Sequence, residues 1–115
     1  MLYVGFAISD TMFSTNAKLL REVVNVETVK QLLLDKHIVC ANPSHAATFV
    51  ALKEKYGIQL EVPSKAPNIH LGLHDELLLL SVRGLPRLEG RHEYTSDEID
   101  NAQWSFALWE VFASW

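Results

Sequence analysis

The chain has little with which to staple itself. It contains one cysteine, Cys40, in 115 residues, which excludes an internal disulfide. That thiol sits in the run His37-Ile38-Val39-Cys40-Ala41 and reads as a small packing residue. No Cys/His cluster is present, and His37, His70, His74 and His92 are not spaced as ligands, so no metal site is expected. These four read as surface or turn residues. No apolar run is long enough to cross a bilayer, so no membrane partner is expected. Met1-Leu2-Tyr3-Val4 lacks the basic region of a secretory signal, and a cytoplasmic protein is expected. Basic residues are also few: 10 Lys and Arg face 14 Asp and Glu, for a net charge of −4. That balance argues against binding duplex DNA or long RNA, which takes many cationic contacts to phosphate. A small anion needs only a few local donors. Glycine-rich nucleotide motifs are absent, and no nucleophile-elbow glycines surround Ser9. Internal repeats and low-complexity segments are absent too.

What is present suits one globular domain spanning residues 1–115. Hydrophobic residues make up 49% and charged residues 21%, enough to bury a core and too apolar for disorder. Leu2 to Ile8 reads as a buried strand ended by Ser9-Asp10-Thr11. Lys18 to Val24 fits a strand or a short helix, and strand is favoured. Asn25 offers an N-cap to a helix carrying Val26, Val29, Leu32 and Leu33 on one face and ending near Asp35-Lys36. His37 to Ala41 reads as a second core strand. Asn42-Pro43-Ser44 is a turn, with Asn42 or Ser44 capping a helix over 45–56 that Gly57 stops. Ile58 to Val62 is a short strand candidate, 63–67 a proline-stiffened loop, and Asn68 to Leu73 alternates weakly. His74-Asp75 turns into a strong strand, Glu76 to Val82. Thr95-Ser96-Asp97-Glu98 opens a helical turn, and Gln103 to Ala113 is a final strand. There Trp104, Phe106, Leu108 and, imperfectly, Val111 share a face, with Trp109 and Trp115 opposite. The expected architecture is α/β: a mixed β-sheet of about five strands with helices mainly on one face.

Three stretches carry candidate chemistry. In "SHAAT", residues 44–48, His45 stands at the start of a helix, where unpaired N–H groups and a partial positive charge suit a phosphate. A histidine there can donate a proton to the leaving oxygen of a phosphodiester. Thr48 adds a hydroxyl one turn later. In "PRLEG", residues 86–90, Arg87 offers a donor fork matched to phosphate, and Glu89 can orient a hydroxyl or accept its proton. Arg83 and Arg91 compete for the cationic role. In "AISDTMF", residues 7–13, Ser9 and Thr11 follow the first strand, where open α/β sheets often bind ligands. Lys65 is a fourth candidate. The plainer readings are a solvated helix start, a surface ion pair and turn chemistry.

Taken in order, these stretches resemble those of the small viral anti-CRISPR ring nucleases and their prophage and cellular relatives. That family carries A-aromatic-S-x-N-M-L near its start, G-H-x-[ST]-T-A at the second helix and R-L-x-E-G late in the chain. The resemblance runs from Leu2 to Val111 and rests on order and spacing. It implies a homodimer that binds cyclic tetra-adenylate, the second messenger of type III CRISPR defence, across its interface. It also implies cleavage without a metal or other cofactor: the ribose 2′-hydroxyl attacks the adjacent phosphate and leaves a 2′,3′-cyclic phosphate. By position, the catalytic residues fall on His45, Arg87 and Glu89. The ligand-binding residues fall on Ser9, Thr11, Ser44, Thr48 and Lys65. The chain departs from the pattern at Phe6, where the family has Asn, and at Ser44, where it has Gly. Its Arg87-to-Glu89 spacing is one residue shorter. Two other readings stand beside this one: a non-catalytic sponge for a cyclic nucleotide, and a viral structural or regulatory protein without nucleotide affinity. The late aromatics Trp104, Trp109, Phe112 and Trp115 could help cover an interface.

Overall fold

A computed structural model describes residues 1–65 and 67–115. Five strands occur among them: β1 (Leu2–Gly5), β2 (Ala17–Val24), β3 (His37–Val39), β4 (Glu76–Arg83) and β5 (Gln103–Ser114). The helices are α1 (Val26–Leu32), α2 (Ala46–Tyr56) and α3 (Ser96–Asn101), with short 3-10 turns at Asp10–Met12 and Pro43–His45. The strands form one mixed sheet in the order β2-β5-β4-β1-β3. β1 runs parallel to β3 and β4, while β4 with β5 and β5 with β2 are antiparallel. Because β3 and β4 flank β1, the β3–α2–β4 connection crosses over β1 and lays α2 on the sheet.

The period-two pattern of the strands separates two cores. Leu2, Val4, Leu78, Leu80 and Phe106 point to one face and meet Val29 of α1 and Leu52 of α2. Leu52 is fully buried, and burying such a side chain contributes about 1.5–3 kcal/mol. On the other face Leu77 and Val111 pack with Leu71, Met12 and Phe13, so loops cover the side that the helices leave open. The Leu71 N–H donates to the Met12 carbonyl at 2.7 Å and ties those loops together.

The expected architecture is present, and several local details differ. β1 stops at Gly5 rather than Ile8, because the chain turns away to build the loop cover. Ile58 is buried, yet 58–62 is not a strand; the segment stands off β3 across a groove lined by His37, Val39 and Gln59 to Pro63. Asn68 to Leu73 is not a strand either, since its backbone bonds go to the Met12 loop and to the Asp75 carboxylate. Val111 shares a face with Trp109, not with Phe106, as strict alternation requires. Opposite Lys18 and Leu19 lie Ala113 and Val111, so Phe112 is the extra residue of a β-bulge. Neither Asn42 nor Ser44 caps α2, whose N-cap position is His45 without a side-chain cap bond; Asn42 instead caps the 3-10 turn before it, accepting from the Ser44 N–H at 2.9 Å. Gly57 ends α2 at φ +70, a conformation that glycine adopts without Cβ strain. Ala66, in the loop expected at 63–67, lies outside the described residues.

Candidate anion-binding cleft

The short first strand makes the site. β1 pairs with β4 only as far as Gly5 opposite Leu79, so from Leu80 to Arg83 β4 keeps its pairing with β5 but has no partner on the β1 side. Phe6 and the start of α2 border the space that this leaves. The result is a cleft of about 780 Å³ lined by Phe6, Arg21, His45, Thr48, Leu80 to Arg83 and Gln103 to Ser105. It opens beyond the carboxyl ends of the parallel strands β1 and β4, the usual ligand position in open α/β sheets.

Its electrostatics oppose those of the whole chain. Arg21, Arg83 and His45 line it, and no Asp or Glu does, although the net charge is −4. Side-chain ion pairs among the described residues join Lys55 to Asp100 and Arg91 to Glu98, which leaves Arg21 and Arg83 without a carboxylate. Arg21 stands opposite Trp109 on β5, its guanidinium 5.8 Å from the ring centroid. Such cation–π packing orients a guanidinium without neutralising it. A concave, carboxylate-free surface of this kind concentrates anions.

His45 is exposed at the junction of the 3-10 turn and α2. Its ring packs edge-to-face with that of Phe6, the centroids 5.7 Å apart, and Phe6 packs in the same way with Phe49 at 5.1 Å between centroids. Phe6, leaving β1, therefore anchors the imidazole to the helix core. Thr48 is buried on the cleft wall. Ser44 is exposed next to His45.

The other candidates lie elsewhere. Arg87 and Glu89 are exposed on the loop between β4 and α3 and do not line the cleft. Arg91 is committed to Glu98 by two parallel hydrogen bonds, at 2.8 and 2.9 Å. Glu98 also accepts the Thr95 N–H in a capping box, and these partners, Arg91 first, pull its carboxyl down to about 2. Ser9 and Thr11 hydrogen-bond each other at 2.7 Å, and Ser9 lines a separate groove with Asp10, Phe13 and Trp109. Lys65 is exposed and does not line the cleft. Arg21, Gln103 and Ser105 join the site without any signal in the linear pattern, since on a strand each reads as an outward polar residue. Cys40 donates its thiol to the Val4 carbonyl at 3.2 Å, and burial pushes its pKa up, as befits a packing thiol. Among the described residues no group of three or more His, Cys, Asp or Glu could hold a metal ion. No described helix is long and apolar enough to cross a membrane.

Fold and site together define a small mixed α/β domain with a cationic cleft at the carboxyl ends of its parallel strands. No family model matches the sequence, and no curated protein matches it. In structure the chain is similar to B116 of Sulfolobus turreted icosahedral virus, with a TM-score of 0.69 and 18% identity over 94% of this chain and 97% of that one. At that identity the likeness establishes a shared fold.

Proposed function

We propose that the chain is a metal-independent ring nuclease that opens cyclic tetra-adenylate, acting as a viral anti-CRISPR or signal-damping protein. The observation that carries this reading is the carboxylate-free cleft that holds His45 together with Arg21 and Arg83. The order of the sequence motifs and the fold shared with a viral protein support it as well. In this mechanism a ribose 2′-hydroxyl gives up its proton to water as its oxygen attacks the adjacent phosphorus, and the bond from phosphorus to the 5′-oxygen breaks. His45 gives its proton to that 5′-oxygen, leaving a 5′-hydroxyl and a 2′,3′-cyclic phosphate. Arg83 and Arg21 take the cationic role first given to Arg87, balancing charge on the non-bridging oxygens. Thr48 supplies a hydroxyl to the phosphate. The reading also takes the protein to be a homodimer in the cytoplasm, since a ring of repeating symmetry suits a two-fold site.

A second reading, a sponge that binds the messenger without cleaving it, is favoured by one observation. Arg87 and Glu89 stand on an exposed loop outside the cleft, so the group expected to orient the 2′-hydroxyl is not in place. Incubation with a panel of cyclic oligonucleotides in EDTA, followed by chromatography, separates the readings. Linear products ending in a 2′,3′-cyclic phosphate, lost in His45→Ala, support the nuclease. Stoichiometric binding with intact ligand released on denaturation supports the sponge. Absence of any binding overturns both and leaves a viral structural or regulatory role.

A further inference from the structure

The outer side of β3 faces a groove. β3 pairs with β1 alone and so ends the sheet. In a parallel ladder the N–H and C=O groups of alternate residues serve opposite sides. Cys40 donates its N–H to the Val4 carbonyl at 2.8 Å, so Ile38 and Cys40 serve β1, while His37 and Val39 present their backbone groups outward. Across from them runs the chain that leaves α2. Ile58 and Leu60 pin it to the helix-side core, and Pro63 stiffens its end. A strand–helix crossover ordinarily delivers the next extended segment into the sheet. Here residues 59–63 make no backbone-to-backbone hydrogen bond among the described residues, and a groove of about 500 Å³ separates them from His37 and Val39. An extended residue in a layered sheet occupies roughly 160 Å³, from a rise of about 3.3 Å, a strand spacing of about 4.8 Å and a layer of about 10 Å. The groove therefore holds about three residues of extended chain, and β3 is three residues long.

We propose that this groove receives an extended, basic peptide segment of a different protein, which enters as a sixth strand between β3 and residues 59–63. Main chain recognises main chain here: unpaired N–H and C=O groups flank a gap of one strand's volume, and an inserted strand bonds to both sides. Charge selects the side chains. Glu61 is exposed at the groove and has no salt-bridge partner among the described residues, and no Lys or Arg lines the groove. A lysine or arginine of the guest meets Glu61, while apolar guest residues lie against Val39 and Leu60. The same carboxylate, with no cation beside it, disfavours a phosphate-bearing strand, so the guest is polypeptide and not nucleic acid. The groove shares no lining residue with the cleft, and the proposal stands whether or not the cleft cleaves a nucleotide.

The probe is a fluorescently tagged peptide, Val-Lys-Val-Lys-Val with blocked ends, titrated by anisotropy at low salt. Its counterparts are Val-Glu-Val-Glu-Val and a lysine peptide N-methylated at alternate residues. The lysine peptide should bind roughly tenfold tighter than the glutamate peptide or better. In amide NMR spectra the His37 and Val39 N–H groups should shift and gain protection from exchange. Glu61→Lys should reverse the preference between the two peptides. Val39→Pro deletes one outward N–H and leaves the β1 ladder its donors, so binding should weaken about tenfold. The N-methylated peptide, which leaves the protein untouched, should lose binding likewise. Failure of the lysine peptide to bind, equal binding of its N-methylated copy, or an unchanged preference in Glu61→Lys overturns the proposal. A groove already filled by a second copy, seen in sedimentation equilibrium as peptide binding that dissociates a dimer, overturns it too. Failure of the nuclease and sponge readings in the cleft assay changes none of these outcomes.

Discussion

Gly5→Ala should destabilise the protein through one contact, and the contact names its own remedy. An added Cβ at Gly5 would lie 2.8 Å from the Cys40 sulfur, well inside van der Waals range. The backbone at Gly5 is not in the left-handed region, so the cost is steric rather than conformational. Both neighbours are constrained: Gly5 is buried in β1 between β3 and β4, and the thiol is held on the Val4 carbonyl. Relief would come from moving the sulfur off its acceptor or from spreading β1 and β3. Overpacking of this kind costs about 1–3 kcal/mol. For a domain of this size, roughly 4 °C of melting temperature is lost per kcal/mol, so Gly5→Ala should melt roughly 4–12 °C lower. Cys40→Ala alone should cost about 1 kcal/mol as the loss of a small packing group. The double variant should recover most of the loss, giving a coupling of about 1 kcal/mol or more in urea titrations. Additive losses in the double variant would refute the steric account and point to a backbone requirement at Gly5. The same substitution should disturb the cleft, because Phe6 follows directly and packs against the His45 ring.

Further outcomes follow from the site and from the α3 cap. His45→Ala should lower cleavage of cyclic tetra-adenylate by about 10²- to 10⁴-fold while preserving the melting temperature and the binding affinity, measured by single-turnover kinetics and calorimetry. Arg21→Ala and Arg83→Ala should each weaken ligand binding and reduce its salt dependence, whereas Arg87→Ala should do so less; equal losses in all three would refute the placement of the cationic role in the cleft. Thr95→Ala removes the cap of α3 and should cost about 1 kcal/mol in denaturant titrations. Glu98 has its carboxyl held at about 2 in the folded state, below the ordinary value of 4.5. Its contribution is therefore complete above about pH 4.5 and disappears as the pH falls through about 2. The melting temperature of Glu98→Gln should accordingly be less sensitive to pH across that window than that of the wild-type chain.

Local chemistry was legible in the sequence wherever it acts over a few residues. Asn25 caps α1, Gly57 stops α2, and Thr95 with Glu98 opens α3, because each effect needs only a side chain and the nearest backbone. The strand at β4, from its apolar run, and the alternation in the first half of β5 were legible for the same reason: both are carried by neighbouring residues, and pleating sends successive side chains to opposite faces whatever the partner strand. His45 and Thr48 could be singled out together, since a helix start is itself a local feature. Pairing is different, because it is settled between segments far apart in the chain. Ile58 to Val62 and Asn68 to Leu73 have strand-like residues, yet no neighbour comes into ladder register with them, and they serve as cover instead. The cleft depends on such distant relations throughout. β1 is four residues long and β4 eight, and only their register exposes Leu80 to Arg83 beside α2. Arg21 reaches the same space because β2 is joined to β5 at the opposite side of the sheet. Which arginines share a surface with His45 is thus a property of strand order, and strand order follows from burying both faces of one sheet at once.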